Sequence, residues 1–250
     1  MSLYEKVKHF SYAIDFCRLA LQFLPPNQEA STIQARTELN SRLFNAAIQT
    51  SRYDLAHSTL VVFTDHALQK SCLRTLVTRL CETSNASKLI ALPFLTLQDQ
   101  VDEILTQKAS SIVDPGAGTP YHKILYAWRI AHNDFRGAAS ISLERLQRLQ
   151  LSGEGDKFLQ NGTGNPETAV TKGYVQLINA LACVDEKQAW VLAEEVKRPG
   201  KTSEGKRRVV RLEDVRRAYS EELDRINAVG RGDFGLLGDG GDEDDAMDIL

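Results

Sequence analysis

The chain has 250 residues, 42% hydrophobic and 25% charged, with a net charge of −3. That length allows a sizeable core, and the near-neutral balance gives no global attraction to nucleic acid or an anionic membrane. No apolar run reaches the eighteen residues a membrane-spanning helix needs, and the N-terminal MSLYEKVKHF has no signal-peptide core.

Leu3 to Leu24 reads as a helix with Val7, Phe10, Ile14, Leu21 and Leu24 inward, stopped by Pro25-Pro26. A second is expected over Gln28–Ser51, with Ile33, Leu39, Leu43, Ala46, Ala47 and Ile48 on its core face. After a corner at Arg52, a third carries Leu55, Leu60, Val62 and Phe63. Asp65 is placed to cap a helix through Cys81, with Leu68, Cys72, Leu73, Leu76, Val77 and Leu80 inward. A short helix follows from Ser84 to Leu92. Thr96, with Asp99 three residues on, opens another over Leu97–Ile112.

After a loop at 114–120 come two helices joined by Asn133-Asp134. Tyr121, Ile124, Leu125, Trp128 and Ala131 form one stripe; Ala138, Ile141, Leu143, Leu146 and Leu149 form the other. Such a hairpin needs neighbours to bury both stripes. The corners Tyr53-Asp-Leu-Ala56 and Asp134-Phe-Arg-Gly-Ala-Ala139 share an acid, an aromatic and small residues.

Residues 152–166, rich in Gly, Asn and Ser, read as a mobile surface loop. Helix is expected again over Glu167–Val184 and over Glu186–Val196, the latter carrying Trp190, Leu192 and Ala193. Arg198–Gly205 is a polar linker, and Val209–Leu212 is briefly extended. A last helix to Val229 presents Val215, Tyr219, Leu223 and Ile226 in one stripe. These elements predict an all-α fold, an irregular α-helical solenoid of stacked antiparallel helices over residues 1–229. Residues 230–250, with seven acids and one arginine, form an acidic tail that reads as disordered.

The motifs argue against chemistry. Gly200-Lys201-Thr202 is similar to the end of a phosphate-binding loop, but Glu195 stands where that loop requires glycine. The Gly153/Gly155 and Gly162/Gly164 pairs have Phe158 and Glu167 where a dinucleotide fingerprint needs its third glycine. His9, His57, His66, His122 and His132 show no HxxxH or HExxH spacing, so no metal site is expected. Cys17, Cys72, Cys81 and Cys183 read as reduced, packed thiols. With no GxSxG either, neither catalysis nor a cofactor is expected.

Lys206, Arg207 and Arg208, with Arg211, Arg216 and Arg217, make a basic cluster without aromatic interleaving, best read as a solvated face. Asp242–Asp245 of the same chain can reach it. A terminal stripe in a helical stack needs a cover, so Trp190, Val215, Tyr219, Leu223 and Ile226 are the expected partner surface.

Tyr121–Ile130, Asn133–Ala139 and Glu144–Leu149 together resemble the C-terminal helical region of the large Y-complex nucleoporins. That family is named for about one hundred and twenty kilodaltons in fungi and one hundred and sixty in vertebrates. Matches in the same order are His9-Phe-Ser11, Leu19–Phe23, Ala91–Phe94, Leu177–Leu181, Gln188–Trp190, and Asp214–Arg217 with Tyr219. The resemblance implies a non-catalytic scaffold fragment at the nuclear pore. Its expected partners are the helical C-terminal region of the eighty-five-kilodalton nucleoporin and the ninety-six-kilodalton-type helical nucleoporin, at the hub of the Y-shaped coat. A helical-repeat adaptor of a vesicle coat is the alternative.

Overall fold

The computed structural model describes residues 8–25, 29–112, 118–153, 167–194 and 207–230. Packing divides the chain into two compact units, residues 1–133 and 134–250.

The first unit holds α1 (Phe10–Phe23), α2 (Ala30–Gln49), α3 (Tyr53–Val61), α4 (His66–Glu82), α5 (Ala86–Ala91), α6 (Gln98–Ser111) and α7 (Tyr121–Ala131). Neighbours in sequence pack together: α1 on α2, α2 on α3, α3 on α4 and α6 on α7. Longer steps bring α4 against α6 and α5 against α7. Ala13, Ile14 and Cys17 of α1 meet Leu43 and Ala46 of α2 in one cluster. Asp65 caps α4 as expected, its carboxylate accepting from the Ala67 and Leu68 amides. Across α6 and α7, Arg129 donates from Nε and an Nη to the two Asp102 carboxylate oxygens, each at 2.8 Å. A further bond at 3.0 Å runs to the Thr106 hydroxyl. This two-pronged geometry fixes the register of the two helices.

The corners repeat a backbone solution. Ser51, Ser84 and Asn133 each adopt positive φ (56°, 58° and 62°). Each stands two residues after the last residue of a helix and two before the first of the next. A left-handed residue there ends one helix abruptly and lets the following residue serve as N-cap.

The second unit holds α8 (Phe135–Leu151), α9 (Ala169–Ala182), strands β1 (Trp190–Glu194) and β2 (Arg207–Arg211), and α10 (Leu212–Gly230). The α9 helix packs on α8 and on α10, and β1 lies on α8. Thr168 and Thr171 form a reciprocal capping box at the start of α9. At Gly173 a Cβ would stand 3.2 Å from a Leu146 methyl, so the glycine admits the close approach of α8 and α9. The expected core faces of α4, α7 and α8 are inward apart from half-buried Leu68 and exposed Ala131, and Trp128 is 2% exposed.

Several expectations are corrected. Residues 190–194 are a strand, not the end of a helix: only a 3₁₀ turn at Glu186–Gln188 precedes them. They pair antiparallel with 207–211, Trp190 opposite Arg211 and Glu194 opposite Arg207. Val191 and Ala193 are buried while Leu192 is exposed, the period of two that a helix cannot produce. The all-α class therefore carries one small hairpin. Ile33 and Val62, expected inward, are 49% and 58% exposed. On α2 the buried face runs through Thr32, Asn40, Leu43 and Phe44 instead. Thr96 does not cap: it sits inside a 3₁₀ turn, Leu95–Leu97, that leads into α6. The readings of residues 3–7, of most of the 152–166 loop, of the 198–205 linker and of the tail beyond Gly230 lie outside the described residues.

His57 gives the first unit a pH dependence. It is buried edge-on to the Phe94 ring, centroids 4.9 Å apart, and its Nε2 has no hydrogen-bond partner. Burial lowers its pKa below 6.5, outweighing the Pro93 backbone hydrogen bond and the Asp54 charge that favour the cation. The folded state therefore binds fewer protons than the unfolded chain. Its stability is full above the unfolded pKa and falls as pH drops below about 6.5. The thermal midpoint is expected to decline from about pH 7.5 to about 5.5, and less steeply in His57→Gln, as scanning calorimetry would read.

Candidate functional site

The late elements carry every residue expected at the partner surface. Two of them are held inside the unit: Val215 is 3% and Ile226 1% exposed, both on the α10 face that packs toward α9. Tyr219 and Leu223, on the same stripe, are half-buried and keep part of their side chains open. The Tyr219 ring lies 6.0 Å from that of Tyr174 on α9. Tyr174 is in turn held by Gln150 of α8, whose amide donates to the phenol oxygen at 3.0 Å. Burial raises the Tyr174 pKa, so the phenol stays a neutral, fixed platform beneath Tyr219. Glu222 and Arg225 pair at 2.9 Å beside Leu223.

Trp190 stands apart from that stripe, at the start of β1. The Arg136 guanidinium lies over its ring, 4.1 Å from the centroid, an arrangement that pins the indole while leaving it half-exposed. The five expected residues thus fall into a buried pair, a half-open pair on α10, and a separate aromatic on the hairpin.

The basic cluster resolves along β2 and into α10. Arg207, Arg208, Arg211, Arg216 and Arg217 are exposed. The Arg211 backbone N–H donates to the Asp214 carboxylate at 3.0 Å, which ties the strand to the first turn of α10. Lys206 and the Gly200-Lys201-Thr202 motif fall outside the described residues.

One apolar surface escaped the sequence reading. Tyr12, Phe16, Leu19 and Phe23 are 44–79% exposed along one face of α1. Their spacing of four, three and four is a helical stripe in its own right. The inward stripe of Phe10, Ile14, Cys17 and Leu21 masked it, because α1 is apolar on two faces.

Nothing in the described residues gathers chemistry. They contain no cluster of three His, Cys, Asp or Glu side chains able to hold a metal. Cys17, Cys72 and Cys81 are buried, and burial pushes the Cys81 thiol up to about 12, far from a reactive thiolate. Cys183, expected among apolar neighbours, is exposed just beyond α9. No described helix is long and apolar enough to cross a membrane.

Comparison with known proteins gives this architecture a family. Nucleoporin NUP120 of Chaetomium thermophilum is 39% identical over an alignment covering all of this chain and 26% of that protein. Nucleoporin nup120 of Schizosaccharomyces pombe is 24% identical over 74% of this chain and 15% of its own length. Human Nuclear pore complex protein Nup160 is 24% identical over 77% and 13%. The chain therefore spans about a quarter or less of the relatives it matches. The resemblance pointed to the C-terminal helical region of these proteins, whereas the family model matching residues 1–165 describes their middle: NUP160/120 middle TPR. On that match the chain belongs to the NUP160/120 nucleoporin family.

Proposed function

We propose that this chain is a non-catalytic helical segment of a nuclear pore scaffold subunit, which joins other helical nucleoporins by burying apolar side chains its own packing leaves open. The observation that carries the reading is the half-open pair Tyr219 and Leu223 on α10, with Tyr219 against the Tyr174 ring, in a chain of nucleoporin family. We assign the scaffold role to residues 1–229 and treat 230–250 as an acidic appendage. Residues 166–250 run on beyond the middle-region match, and we place them toward the C-terminal side of the family's helical region. There the partners in view are the helical C-terminal region of the eighty-five-kilodalton nucleoporin and the ninety-six-kilodalton-type nucleoporin. The site of action is the nuclear envelope, in support of pore assembly and nucleocytoplasmic transport.

The physical basis is burial of apolar surface, roughly 25 cal/mol per Å² before association costs are subtracted. In such an interface Tyr219 and Leu223 are the anchors and Trp190 a flanking contact. Val215 and Ile226 act from beneath, holding α10 in place.

Co-expression with the two partner regions, followed by size-exclusion chromatography with light scattering, tests the reading. A stoichiometric ternary complex is expected. Leu223→Asp or Tyr219→Asp should weaken it by about thirtyfold or more, the scale of a lost hot spot, with helicity unchanged. A monomer that ignores both partners overturns the assignment. If Leu223→Asp unfolds the second unit instead, the side chain is core and the surface is misplaced. The α1 stripe offers a second location: retention of binding in Leu223→Asp and its loss in Leu19→Asp would move the interface there.

A further inference from the structure

The outward face of the β1–β2 hairpin has a composition that none of the relatives' names explains. Strand alternation puts Trp190 and Leu192 on one face with their partners Arg211 and Val209. Val191 and Ala193 turn the other way and are buried. Leu192 and Val209 are 46% and 48% exposed, so an apolar strip beside Trp190 lies open to solvent. It borders a groove of about 830 Å³ lined by Lys187, Trp190, Val209, Arg211, Leu212 and Arg216, among others. Glu186 and Glu213 also line it, leaving one excess positive charge. Arg217 adds one more in the adjoining helix turn, whereas Arg208, paired with the inward Ala193, belongs to the opposite face of the strand. Asp214 accepts from the Arg211 amide but keeps its charge, and so cancels one of these positive charges.

An apolar floor with a cationic rim selects an extended segment that carries acids next to apolar side chains. Residues 231–250 have that composition: seven acids against one arginine, with Asp242–Asp245 followed after Ala246 by Met247, Ile249 and Leu250 around Asp248. Reach permits the contact. The 19 residues of α10 place Gly230 about 28 Å from the groove end of the helix, at 1.5 Å per residue. Residues 231–242, at up to about 3.3 Å each, extend to about 40 Å. The chain can therefore double back along α10 and bring its acidic run to the rim.

We infer that the acidic segment 231–250 seats in this groove, with Asp242–Asp245 at Lys187, Arg211 and Arg216 and the Met247–Leu250 stretch over Trp190 and Val209. Exposed ion pairs are individually weak. Tethering offsets this, because a short linker holds the segment at an effective concentration in the millimolar range. The latch covers Trp190 and competes with any ligand that uses it. It stands on the groove and the segment alone, not on the identity of a nuclear pore partner.

The test uses the 250-residue chain and a zero-length carboxyl-to-amine crosslinker. In the monomer fraction, the expected product joins the Lys187 amine to a carboxylate within residues 242–245. Its yield should fall about fivefold or more in Arg211→Glu/Arg216→Glu, and likewise at about 0.5 M salt, where screening shortens to a few ångströms. Acrylamide quenching of Trp190, identified by difference against Trp190→Phe, should rise when Asp242, Glu243, Asp244 and Asp245 are replaced by their amides. Circular dichroism should show these surface variants folded. Crosslinks confined to dimers, or spread evenly over other lysines with quenching unchanged, would overturn the inference.

Discussion

Replacing Trp128 with alanine is expected to destabilise the first unit by about 3–5 kcal/mol, the cost of deleting a large buried aromatic. The indole is 2% exposed and meets Phe94 edge-to-face, with centroids 5.8 Å apart. Phe94 in turn holds the edge of the His57 ring. On its other side Trp128 lies 4.0 Å from the His132 imidazole, whose Nδ1 is 2.8 Å from the Trp128 carbonyl oxygen. A cavity here touches α3, the turn before α6, and α7 together. Hydrogen exchange should show amides of these helices opening far more often in Trp128→Ala, and less so in Trp128→Phe, which keeps a ring in the site. Unchanged protection in the alanine variant would mean that the tryptophan is not the keystone of that core.

The second large effect belongs to Leu146, which is 3% exposed and lies across the helix contact at Gly173. Leu146→Ala is expected to cost the second unit about 2–5 kcal/mol. Its coupling to Gly173 is the more telling result. Alone, Gly173→Ala must push the buried leucine aside, because its Cβ would lie 3.2 Å from the Leu146 methyl. That strain opposes the roughly 1 kcal/mol that alanine gains over glycine inside a helix. With Leu146 already truncated the obstruction is gone, and the same change should stabilise. A double-mutant cycle in urea, followed by exchange of α8 and α9 amides, reads the change directly. Simple additivity would show that the glycine is not there for the close approach.

Helices with one clean stripe were legible from the sequence, because burial on one face imposes the spacing that periodicity detects. The Trp128 core position follows from that logic, while Asp65 and Asp134 follow from the need of a helix start for a side-chain acceptor. The failures have physical causes too. Trp190–Glu194 contains Leu, Ala and Glu, good helix formers, and Trp190 with Ala193 imitates helical spacing. What makes it a strand is a partner at 207–211, and no local window contains both. Ile33 was misplaced because α2 buries Thr32 and Asn40, polar residues that a hydrophobic stripe does not mark. At the candidate surface, the stripe from Val215 to Ile226 was visible, but its division into covered and half-open residues depends on how α9 meets α10. The outer face of α1 was present as a pattern and hidden by a second one.

The hairpin has a colloidal consequence. Among the described residues, β2 pairs with β1 alone, so apart from the Arg211 N–H, which Asp214 takes, its other edge has no strand partner. A short, apolar-faced ribbon of this kind is a template for edge-to-edge pairing. Three of its five residues are arginine. When two copies approach edge to edge, those charges are brought together and repel, so the cluster works as a gatekeeper against self-association whatever else it binds. Its neutralisation would be felt first as loss of solubility at high concentration, before any loss of fold.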